Sequence, residues 1–91
     1  MNYSKRDKKV KHFKEIMDKI FLNIEKNKSL NIIDIGEYNN CIETLKSLTH
    51  NINQLKTVLS DDFMSLVKVI QGDIVNIIKK YGIEKMEDLI Q

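Results

Sequence analysis

The sequence predicts an all-α fold, an antiparallel three-helix bundle followed by a short C-terminal helix. Apolar residues recur at alternating intervals of three and four through three separate stretches, as on one face of an amphipathic helix. The chain of 91 residues has no proline and only three glycines, too few for a many-turned β fold. The stretches are joined by short segments, and short connections place sequential helices antiparallel. The alternative is a long helical hairpin that completes its core by oligomerising.

The first helix is predicted over residues 4–27. Ser4 followed three residues later by Asp7 has the form of a capping box, which marks a helix start. The apolar face keeps the helical spacing throughout and consists of Val10, Phe13, Met17, Ile20 and Ile24, with Ile16 and Phe21 widening it.

The second helix is predicted over residues 35–59, with Asp34 as its cap and Glu37 at its third position. Residues 47–54 carry no formal charge and include several weak helix formers. We favour one continuous helix, and a break at 49–51 is the alternative. The apolar seam keeps its phase across this stretch and consists of Tyr38, Cys41, Leu45, Leu48, Ile52, Leu55 and Leu59.

The third helix is predicted over residues 61–81, capped by Ser60 and apolar on most sides, so we expect it to be the most buried helix.

The apolar connector 30–33 is predicted to be a loop packed over one end of the bundle. A short helix is predicted over residues 84–91. It either docks on the bundle, making 1–91 a single domain, or belongs to the N-terminal part of a longer chain.

No catalytic, cofactor-binding or metal-binding residue is predicted, and the chain is not expected to be an enzyme. Cys41 falls on a core seam, and neither His12 nor His50 has a second ligand at metal-binding spacing.

A single cysteine favours a reducing compartment, so a cytoplasmic location is expected. No apolar run approaches the roughly 20 residues of a membrane span, so no membrane partner is expected. Abundant Lys, Asn and Ile without Ala suggest an AT-rich genome, such as that of a parasite or virus.

Charge is distributed unevenly along the sequence. Residues 1–28 contain nine basic and four acidic residues, a net +5, and residues 29–91 contain six basic and nine acidic, a net −3. A basic first helix of this kind predicts a candidate polyanion-binding surface. Its residues are Lys5, Arg6, Lys8, Lys9, Lys11 and Lys14.

The three in-phase seams favour a helical protein–protein interaction or assembly module, acting through a protein partner or self-association. A small nucleic-acid-associated protein that uses the basic first helix is the alternative. Apolar residues outside the three seams are the candidate partner-binding residues. They are Met64, Val75, Met86, Leu89 and Ile90.

Overall fold

The computed structural model describes residues 4–81, and within them the chain forms the predicted three-helix bundle. Helix α1 spans Lys5–Ser29, α2 spans Ile35–Gln54 and α3 spans Ser60–Tyr81. Side chains near the start of α1 contact the end of α2 and the start of α3. The three helices therefore alternate in direction. The helix predicted over residues 84–91 lies outside the described residues.

Two of the predicted helix caps are confirmed. The Ser4 hydroxyl accepts a hydrogen bond from the Asp7 backbone N–H at 3.1 Å, and the Asp34 carboxylate accepts one from the Glu37 N–H at 2.8 Å. Each cap satisfies a backbone donor that has no partner within its own helix. The prediction for α3 is wrong by one residue, because Ser60 is the first residue of the helix and does not precede it.

The core is built from one face of each helix. None of the described polar or charged side chains is buried. On the predicted α1 face, Phe13, Ile16, Ile20 and Ile24 are fully buried and Val10 and Met17 nearly so, whereas Phe21 is 43% exposed. The largest buried side chains of the three helices and their connections are Phe13, Ile16, Ile20, Ile24, Leu48, Ile52, Leu55, Ile70 and Ile74.

Helix α2 is continuous through residues 49–51, as favoured, but it ends at Gln54 rather than at residue 59. The Leu55 N–H donates to the Ile52 carbonyl at 3.1 Å, which tightens the chain into a turn. Leu55 still reaches the core, whereas Leu59 is 73% exposed. The last turn of α2 contains no basic residue to interact with the helix dipole. Arg6 of α1 supplies a cation at this end of α2.

The third helix is apolar on most sides, but it is not covered on most sides. Met64 is 57% exposed and Val69 is 52% exposed, because in the described bundle each helix packs on its neighbours through one face only. The connector 30–33 is a loop, as predicted, but among its apolar residues only Ile33 is buried, whereas Leu30 and Ile32 are 58% and 64% exposed.

Candidate protein-interaction surface

Arg6 joins all three helices at the end of the bundle where α1 begins. One of its Nη atoms donates a hydrogen bond to the carbonyl oxygen of Leu55 at 3.0 Å. Its guanidinium carbon also lies 5.2 Å from the centroid of the Phe63 ring in the first turn of α3, within the range of a cation–π contact. The Leu55 carbonyl is at the negative end of the α2 dipole, which favours a cation. We call this arrangement the Arg6 clamp.

Beside the Arg6 clamp, a groove of about 380 Å³ separates the first turns of α1 and α3. We call it the basic groove. The α1 residues that line it are spaced i, i+3, i+4 and i+7, which places them on one side of the helix. From α3, Phe63 is half-buried and Met64 is exposed. The lining residues are Lys5, Lys8, Lys9, His12, Phe63 and Met64.

Aromatic contacts help to position the α1 side of the groove. The Lys9 ammonium lies 5.9 Å from the centroid of the buried Phe13 ring, and the His12 ring centroid lies 6.0 Å from the same centroid. The groove therefore combines cations along α1 with an exposed thioether and an aromatic edge from α3. Such a surface suits a ligand that carries both negative charge and apolar side chains.

The structure distributes the six predicted polyanion-binding residues over three environments. Arg6 is engaged in the clamp, whereas Lys5, Lys8 and Lys9 line the basic groove. Lys11 and Lys14 face a second hollow, which Lys8 borders as well. That hollow also contains the carboxylates of Asp7, Glu15 and Asp18. The lysines of the second hollow are thus surrounded by charges of both signs.

Of the predicted partner-binding residues, Met64 lines the basic groove. Val75 is half-buried on the same helix, eleven positions further on, which is close to a whole number of turns. Met86, Leu89 and Ile90 lie outside the described residues. Two lining residues of the groove, Phe63 and His12, were not among the predicted site residues. The seven-residue interval between Lys5 and His12 was the available signal for the latter.

A second polar cluster lies at the opposite end of α1. The Tyr38 hydroxyl donates a hydrogen bond to the Glu25 carboxylate, and the Lys28 ammonium lies 4.2 Å from the Tyr38 ring centroid. The hydrogen bond to Glu25, followed by desolvation, raises the pKa of Tyr38 above its ordinary value. This cluster fastens the end of α1 to the start of α2.

The remaining candidates for chemistry are separated in space. Cys41 is fully buried, and burial raises the pKa of its thiol, with the charge of Lys80 acting in the opposite direction. His50 is exposed, and its Nε2 lies 3.2 Å from the Gln54 amide nitrogen. Across residues 4–81, no group of three His, Cys, Asp or Glu side chains is arranged to hold a metal ion.

No protein-family model, curated protein or solved structure matches this chain. Among the helices of the described part, none combines the length and the hydropathy needed to cross a bilayer.

Proposed function

We propose that the chain is a non-enzymatic helical module for protein–protein interaction and assembly, and that the basic groove is its docking surface. The observation that carries this proposal is the exposure of Met64, which is 57% accessible inside a concave site. Specific interfaces have an apolar centre and a polar rim. Met64 and Phe63 supply such a centre, and the lysines of α1 supply the rim.

The Arg6 clamp supports the proposal because it fixes the two walls of the groove relative to each other. A docking surface that is already formed loses little conformational freedom when a partner binds. Methionine adds adaptability, since its unbranched side chain fits irregular apolar partners.

Nucleic-acid association is the alternative proposal, favoured by the three lysines of the basic groove. Two observations weigh against it. Arg6, the only arginine of the chain, already donates to Leu55, and arginine is the commonest base reader. Lys11 and Lys14 share their hollow with three carboxylates as well as with Lys8 and Lys56, so its net charge is only +1, which limits its attraction to phosphate.

The proposal is tested by measuring the solution mass against concentration, using light scattering after size exclusion. We expect the mass to rise above the 10.7 kDa of one chain. Met64→Lys should reduce this association, because it introduces a charge into the apolar centre. Val69→Lys is the matched control, since it changes an equally exposed apolar residue of α3 that does not line the groove.

A wild-type chain that stays monomeric at every attainable concentration would contradict the assembly function. Binding of a DNA or RNA oligonucleotide that weakens steeply with salt and is unaffected by Met64→Lys would favour the alternative.

A further inference from the structure

The sequence after α3 combines acidic and large apolar residues, which are the residue types that complement the basic groove. Residues 82–91, outside the described range, contain three carboxylates and one lysine, a net charge of −2. Four large apolar residues are interspersed with these charges. The carboxylates are Glu84, Glu87 and Asp88, and the apolar residues are Ile83, Met86, Leu89 and Ile90.

We propose that the basic groove of one copy binds residues 82–91 of a second copy. This inference rests on the function proposed above and names the partner of the same site. Carboxylates of the segment would pair with Lys5 and Lys8 at the rim, and its apolar side chains would cover Met64. Opposite charges at a rim steer association and fix orientation, while the apolar centre supplies most of the affinity.

The dimensions of α3 favour a second copy over the segment of the same chain. The groove lies at the first turn of α3, and residue 82 follows its last residue. Met64 in the groove precedes residue 82 by 18 positions, which is about 27 Å at 1.5 Å per residue. Residues 82–91 reach roughly 33 to 36 Å when fully extended, so in the same chain about eight of them would be used to reach Met64 and only about two would be left to lie in the groove.

The end of α3, to which the donor segment is joined, and the receptor groove lie toward opposite ends of the bundle, so the proposed contact is head-to-tail. The two surfaces in such an interface differ, and each added copy presents a new groove or a new segment. Association therefore continues into a ring or a filament rather than stopping at a symmetric dimer.

Complementation between two monomeric variants tests this geometry. Lys5→Glu/Lys8→Glu disables the groove and leaves the segment intact, whereas Glu87→Lys/Asp88→Lys disables the segment and leaves the groove intact. We expect each variant alone to have the mass of one chain. An equimolar mixture should assemble, because the intact segment of the first variant meets the intact groove of the second, and the charges of the two altered surfaces also match. A chain with both double substitutions should assemble again, because both partners have exchanged charge.

The matched control is Lys11→Glu/Lys14→Glu, which makes the same charge change on the same helix outside the groove. It should assemble like the wild type. Assembly that survives Glu87→Lys/Asp88→Lys but not Met64→Lys would overturn this inference and leave the proposed function standing. Assembly that survives all of these substitutions would overturn both. A monomeric wild type whose unfolding midpoint falls with Glu87→Lys/Asp88→Lys would show docking within one chain, contrary to the inference.

Discussion

Replacing Arg6 with alanine is expected to lower the free energy of unfolding by about 2 kcal/mol. The substitution removes the hydrogen bond to Leu55 at 3.0 Å and the contact with the Phe63 ring at 5.2 Å. A hydrogen bond from a charged group contributes roughly 1.5 to 3 kcal/mol, and a cation–π contact at an accessible site adds about 0.5 to 1 kcal/mol. Ordering the arginine side chain costs up to about 2 kcal/mol, which offsets part of both.

The assay is urea unfolding followed by circular dichroism at fixed pH and salt. With an m-value of about 1 to 2 kcal/mol/M, the loss corresponds to a midpoint lower by about 1 to 2 M. Lys5→Ala is the control, because Lys5 is exposed on the same turn and should change stability by less than about 0.5 kcal/mol. Arg6→Lys should fall between the two, since an ammonium keeps the charge but loses the planar stacking.

An Arg6→Ala variant as stable as Lys5→Ala would refute the clamp. A double-mutant cycle with Phe63→Leu isolates the ring contact and should give a coupling of about 0.5 to 1 kcal/mol.

Three further predictions concern single positions. Gly72→Ala should raise the free energy of unfolding by about 0.5 to 1 kcal/mol, because alanine is the better helix former and no atom lies within 4 Å of the added Cβ. A lower urea midpoint for the variant would contradict this open surface. Because the pKa of Tyr38 is raised, the Tyr38 hydroxyl stabilises the fold at pH values below its ordinary pKa of 10.0, and this stabilisation is lost as the pH rises through the folded-state pKa. The free energy of unfolding should therefore fall more steeply at alkaline pH in the wild type than in Tyr38→Phe. Parallel pH curves for the two proteins would show that the hydroxyl makes no such contribution. Cys41→Ser should destabilise more than Cys41→Ala, by about 1 to 2 kcal/mol, because it buries an unpaired hydroxyl; equal urea midpoints would show that the hydroxyl finds a partner.

Helical periodicity identified which side chains share a face but not what covers that face. In α1 the predicted face and the buried face agree except at Phe21, which is 43% exposed. In α3 the apolar residues extend beyond the seam to Val69, yet Val69 is exposed, since the opposite side of that helix has no neighbour in the described bundle. Leu59 continued the α2 seam in sequence, yet the helix had already ended at Gln54.

The candidate site was predictable only in its parts. The run of lysines is evident in the sequence, and Met64 was noted as apolar outside the seam. Their meeting in one groove depends on the start of α3 lying beside the start of α1, which is a tertiary arrangement. The role of Arg6 was likewise hidden, because within a run of basic residues nothing distinguishes a structural cation from a free one.

The clamp also has a consequence for the order in which the bundle forms. Arg6 and Leu55 are separated by 49 positions, whereas each of the two connections between successive helices is only a few residues long. Short loops close within about 10 to 100 ns, and contacts distant in sequence form more slowly. We therefore expect the clamp to close after the rate-limiting step of folding. Its loss should then accelerate unfolding while leaving the folding rate nearly unchanged, so the clamp would govern how long a folded molecule survives rather than how quickly it forms.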